Sequence, residues 1–104
     1  MEQFMAYLDE KAEFMRQESC RLTADDRRDE GGLAKIRANV YGICKSVFQV
    51  LDAEQANRKL AGLKGEWERS LAAARAHGDT KKAAIEEIKL ETLGEISAVL
   101  QKER

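Results

Sequence analysis

The chain contains no proline. Proline removes a backbone donor and clashes with the preceding helical turn, so its absence leaves long helices uninterrupted. Histidine occurs once, as His77, and no glutamate stands three positions before it. Helical di-iron centres need Glu-x-x-His pairs on two helices, so no metal or other cofactor is expected. There are two cysteines, Cys20 and Cys44, far apart and in apolar helical contexts. That pattern reads as small buried hydrophobes in a reducing compartment, with a disulfide the disfavoured alternative. Cys44 lies in the most apolar stretch, where burial suppresses thiol reactivity, and Cys20 lies nearer the surface. The sequence also lacks a Gly-rich phosphate loop, a Cys-x-x-Cys pair and a His-Glu-x-x-His helix. No catalytic residue is assigned, and the chain is not read as an enzyme.

Charge of one sign is missing as well. Eighteen Lys and Arg stand against 19 Asp and Glu, for a formal net charge of −1. Binders of phosphate backbones gather a basic excess on one face, because displaced counterions supply their affinity. The nearest cluster here, Arg21, Arg27 and Arg28 with Lys35 and Arg37 further on, is interleaved with Asp25, Asp26, Asp29 and Glu30. These charges are expected to pair with each other at helical spacing, which makes nucleic-acid binding the least favoured reading. No segment reaches the ~20 apolar residues that span a bilayer, and the start of the chain lacks a basic segment followed by an apolar run. A cytoplasmic protein with no membrane partner is expected.

What remains is helix-forming material. The chain is 43% hydrophobic and 36% charged, and only 6% aromatic, over 104 residues. Ala, Leu, Glu, Lys and Arg dominate both the apolar and the charged set, and no segment shows the two-residue alternation of a half-buried strand. The expectation is an all-α fold, an antiparallel helical bundle of about four helices without strands, with residues 1–104 as a single domain.

The stretch Leu33 to Leu51 is the most strongly patterned. Leu33, Ile36, Val40, Ile43, Val47 and Val50 alternate steps of three and four, beside a second row of Tyr41, Cys44, Phe48 and Leu51. So wide an apolar arc predicts a central helix enclosed by the others. Ahead of it, a helix over Glu2 to Leu22 carries Met1, Met5, Leu8, Ala12, Met15 and Leu22 at heptad spacing. Phe4, Tyr7 and Phe14 broaden that stripe. Thr23 with Asp26 resembles a capping pair and predicts a helix start at Thr23. Gly31-Gly32 has two readings, a break that lets the chain turn or a position inside a continuous helix, and the second is preferred because the apolar pattern resumes at once with Leu33.

Further on, Asp52 with Gln55 predicts a helix cap, and Gly62 and Gly65 predict a kink or short loop near Leu63 to Gly65. Trp67, Leu71 and Ala74 continue the apolar row to a C-terminal cap at His77-Gly78. Asp79 caps a last helix, Thr80 to about Lys102, with Ile85, Ile88, Leu93, Ile96, Val99 and Leu100 as its core positions and Leu90 at the margin. Glu87, Glu91 and Glu95 form one row assigned to solvent.

The residues left over by this scheme are the candidate interface or pocket residues. Arg37 falls inside the apolar arc beside Tyr41. Its preferred reading is a long side chain laid along an apolar surface, with its head reaching water or a carboxylate. The sharper reading is a groove or subunit contact made by Arg37 and Tyr41. Trp67 poses the same question, and the aromatic flank Phe4, Tyr7 and Phe14 suits either packing or a partner. Wide heptad-like faces favour a self-associating homodimer, or a module for another protein partner, as the functional reading. The alternative is a small-ligand-binding bundle with a pocket near Arg37, Tyr41 and Trp67.

Overall fold

The computed structural model describes residues 2–103; Met1, the first member of the predicted heptad row, lies outside them. Four helices account for almost all of it: α1 Glu2–Ala24, α2 Arg28–Val50, α3 Ala53–Ala76 and α4 Thr80–Lys102. Among the described residues there is no strand, and no helix is long and apolar enough to cross a membrane. The molecule measures 38 × 33 × 21 Å, so one dimension matches a 23-residue helix of about 34 Å.

The turns follow from a few side chains. Asp52 accepts a hydrogen bond from the Gln55 amide at 2.8 Å and Asp79 accepts one from Lys82 at 3.0 Å, so both predicted N-caps are in place. Gly78 takes a left-handed φ of 68°, with its own amide donating to Arg75 O and that of Asp79 to Ala74 O. These are the two bonds of a Schellman end, which uses up carbonyls that a terminating helix leaves open.

Two expectations about breaks are corrected. Thr23 does not start a helix. It lies in the last turn of α1, and its carbonyl accepts from Asp26 while Leu22 O accepts from Arg27 at 2.8 Å. The bonds are again those of a Schellman end, with Asp26 at φ 63° in the position usually held by glycine. The chain turns there, and α2 then starts at Arg28 and runs unbroken through Gly31 and Gly32, as the resumed pattern predicts. The short loop, one of the two forms expected at Leu63 to Gly65, is also absent, because α3 is continuous from Ala53 to Ala76. Two glycines weaken a helix by about 1 kcal/mol each, and the burial of Ala56, Leu60, Trp67 and Ala74 against its neighbours outweighs them.

Helix pairing is read from side-chain partners. Phe4 meets Phe48, Tyr7 meets Tyr41, Lys45 binds Asp9 and Ser19 binds Gly31, so α1 and α2 are antiparallel. Arg75 binds Glu87 and Lys89 lies over Trp67, which makes α3 and α4 antiparallel too. Arg37 and Tyr41 reach Glu91, Thr92 and Glu95, so α2 and α4 run parallel. The fold is thus two hairpins joined through α2 and α4, with α1 and α3 on opposite sides and out of contact. Its core holds Phe4, Leu8, Val40, Tyr41, Cys44, Leu60, Trp67, Leu93, Ile96 and Leu100.

The arc on α2 is rotated from the expected one. Beside the expected Val40, Tyr41 and Cys44, its buried face takes in Gly31, Ala34 and Ala38. A β-carbon on Gly31 would stand 2.4 Å from Thr23 Oγ1 and 3.0 Å from Ser19 O, and Ser19 Oγ donates to Gly31 O at 2.7 Å. Small residues let the two backbones touch, and that contact sets the rotation of the helix. Of the bulky row assigned to the core, only Val40 is buried. Leu33, Ile36 and Val47 are half-buried, while Ile43 is 40% and Val50 80% exposed.

Candidate functional site

Arg37 closes α2 onto α4. Nη2 donates to Glu91 Oε1 at 2.9 Å, Nη1 to Thr92 Oγ1 at 3.3 Å, and Glu95 lies 3.9 Å from Nη1. Tyr41 OH donates to the other oxygen of Glu95 at 3.3 Å. The aliphatic stem of Arg37 lies in the apolar arc and its head meets carboxylates, which is the preferred reading of that residue. The acidic row assigned to solvent is corrected in one respect. Glu87, Glu91 and Glu95 are about half exposed, yet Glu87 accepts from Arg75 of α3, and Glu91 and Glu95 from α2.

Tyr41 packs edge-on against Tyr7, and Phe4 packs edge-on against Phe48 at 5.1 Å. Burial holds the Tyr41 hydroxyl well above the usual phenol range, and the Tyr7 hydroxyl and the Glu95 carboxylate nearby push the same way. Tyr7 is raised for the same first reason. Phe4 and Tyr7 are therefore packing residues of the α1–α2 hairpin, whereas Phe14 points outward on α1 and is 53% exposed.

Trp67 is buried on α3 with the Lys89 ammonium 5.3 Å from its ring centroid. Lys89 also donates to Glu86, a buried carboxylate whose second oxygen has no partner. Glu86 and Thr92 escape a hydropathy pattern because each is polar at a buried position. Thr92 is satisfied locally by donating to Ile88 O at 2.7 Å.

Burial also lifts the Cys44 thiol from an ordinary 9.0 to about 12, while Cys20 is exposed. A thiol reagent at pH 8 should therefore modify one cysteine per native chain and two only after unfolding; two fast-reacting native thiols would contradict this assignment. The folded state holds the Cys44 proton more tightly than the unfolded chain. Its contribution is full below pH 9 and is lost as pH rises from 9 through about 12. Stability measured across that interval should fall less steeply in Cys44→Ala.

Among the described residues, three clefts on the surface are lined by residues other than Arg37, Tyr41 and Trp67. One lies on α1 around Phe14, and one of about 300 Å³ lies between α3 and α4 beside Leu60 and Leu93. The third, about 490 Å³, separates the N-terminal halves of α2 and α4. Leu33, Ile36, Ala84 and Ile85 form its apolar wall, and Arg28, Asp29, Thr80 and Lys81 complete its lining. It opens along the edge of α2 that carries Ile43 and Val50, since Ile36, Ile43 and Val50 are spaced by sevens and share one line on a helix.

Other potential sites are electrostatically quiet. Arg21 pairs with Glu18 at 2.7 Å, Arg27 with Glu30, and Arg28 lies 3.7 Å from Asp26. Among the described residues no group of three or more His, Cys, Asp or Glu is placed to hold a metal ion. Compared with models of known protein families, with curated proteins and with solved structures, the chain matches none of them.

Proposed function

We propose that this protein is a self-associating helical module, a homodimer in the reducing interior of the cell, whose contact surface is the outer apolar edge of α2. One observation carries this reading. Leu33, Ile36, Val40, Ile43, Val47 and Val50 keep the alternating three-and-four spacing of a coiled-coil seam, and the chain's own fold buries only Val40 among them. A helix that needed these residues solely for its own core would turn them inward. Here the inward face is made of Gly31, Ala34, Ala38, Val40, Tyr41 and Cys44, and the line Ile36, Ile43 and Val50 runs along its outer margin.

The flank of the edge supports the same reading. Gly32, Asn39 and Ser46 are exposed and uncharged in a chain that is 36% charged, so a second helix can approach without stranding ions. The unpaired thiols, one exposed and one buried, fit a reducing compartment. A small-ligand pocket around Arg37, Tyr41 and Trp67 draws no support from the clefts, which other residues line.

The test is Val50→Glu. Because Val50 is 80% exposed, the variant should keep the helical circular dichroism of the parent. Its melting temperature should no longer rise with protein concentration as the parent's does, because a carboxylate buried in an apolar contact weakens association by ~100-fold or more. A parent melting temperature independent of concentration would defeat the proposal.

A further inference from the structure

We infer that the two copies lie antiparallel along α2, so that the Val47–Val50 end of each helix seats in the partner's cleft between α2 and α4. This rests on the self-association reading and adds its geometry. The edge of α2 is unequal along its length. Its N-terminal half is recessed, with Leu33 and Ile36 forming one wall of the 490 Å³ cleft and Ala84 and Ile85 the other. Its C-terminal half projects, with Ile43 40% and Val50 80% exposed.

Only an antiparallel pair sets projection against recess at both ends. The accessible line of the edge, Ile36, Ile43 and Val50, is spaced by sevens and reads the same in both directions, so reversal keeps the register. Ile36 then faces the partner's Val50, and the two-fold axis passes at Ile43. A parallel pair would instead set recess against recess and Val50 against Val50, leaving the apolar walls of the cleft wet.

Electrostatics distinguishes the orientations in the same sense. The cleft lining carries Arg28 and Lys81 against Asp29, and the N-terminal, electropositive ends of α2 and α4 both meet there. The opposite end of α2 presents its electronegative C-terminus, followed by Asp52 and Glu54 at the start of α3. Glu54 is bound by Arg58 of its own helix at 2.6 Å and Asp52 caps Gln55, so the end-to-end attraction is chiefly between helix dipoles and Lys81. Antiparallel docking places each positive end on a negative one. Parallel docking places like on like.

Cross-linking tests this. In a Cys20→Ser background, with buried Cys44 retained, Val50→Cys and Lys81→Cys chains are prepared separately, mixed, and treated with a short bismaleimide. The mixture should yield a covalent dimer containing one chain of each kind. Its yield should exceed that of either variant alone by ~10-fold, since the dimer holds the two thiols at millimolar effective concentration. If Val50→Cys links to itself faster than to Lys81→Cys while sedimentation still shows a dimer, the orientation is wrong and self-association stands. If nothing links and the parent sediments as a monomer, both fail. A monomer that melts higher on adding dodecanoate assigns the cleft to a small amphiphile and overturns the inference.

Discussion

Phe4→Ala is expected to lower the free energy of unfolding by ~3 to 5 kcal/mol, the largest effect of any single truncation considered. Phe4 is fully buried in the first turns of α1, with its ring edge-on to Phe48 at 5.1 Å and stacked on Tyr7 at 6.2 Å. Truncation removes the transfer energy of the ring, leaves a cavity, and deletes two aromatic contacts worth ~0.5 to 1.5 kcal/mol each. Phe14→Ala on the same helix is the control. That ring is 53% exposed, so its loss should change stability by no more than about 0.5 kcal/mol. Urea unfolding at one fixed protein concentration checks both, because the proposed self-association would make apparent stability depend on concentration. Equal losses at the two positions would mean that α1 is not docked as described.

The second large effect has opposite signs at adjacent residues. Gly31→Ala should destabilise by ~1 to 3 kcal/mol, because its new methyl would stand 2.4 Å from Thr23 Oγ1 and 3.0 Å from the backbone oxygen of Ser19. The threonine side chain can rotate away. The Ser19 carbonyl belongs to α1, so the two helices must separate, stretching the 2.7 Å bond from Ser19 Oγ to Gly31 O. Gly32→Ala meets nothing within 4 Å and gains helix propensity, so it should stabilise by ~0.5 to 1 kcal/mol. Thermal or urea unfolding of the pair measures the sign difference directly. Stabilisation by both would show that α1 and α2 do not approach this closely.

These two glycines also illustrate what a sequence can disclose about such a fold. Propensity and apolar spacing carried through Gly31-Gly32, and the polar caps Asp52 and Asp79 announced the turns, because each of those signals acts within a few residues. Thr23 misled because the left-handed position at the end of α1 is held by Asp26. An aspartate there looks like the acid of a capping pair, whereas glycine would have marked a stop. Gly62 and Gly65 misled because their local cost is overruled by the distant packing of Leu60 and Trp67. The width of the apolar arc on α2 was legible. Its direction was legible in part: Val40, Tyr41 and Cys44 turn inward as expected, whereas Ala34 and Ala38 read as neutral on a helical wheel and join the buried face only when α1 comes close enough to touch Gly31.

The candidate site divides in the same way. Arg37 within an apolar arc implies that its head finds a carboxylate or water, but the choice of Glu91 and the placing of Thr92 beside it depend on the parallel pairing of α2 with α4. Tyr41 likewise becomes a donor to Glu95 only across that pairing. The clefts are properties of helix divergence and have no local signature. What remained visible was the seam from Leu33 to Val50, regular in spacing yet buried in full only at Val40, and this mismatch is the basis of the proposed self-association.

Sedimentation equilibrium of the unmodified chain, from low to high micromolar concentration, tests the central claim most directly. Self-association through α2 predicts a weight-average mass that climbs from the 11.7 kDa of one chain towards twice that value and then levels off. A mass that stays at 11.7 kDa throughout would contradict it.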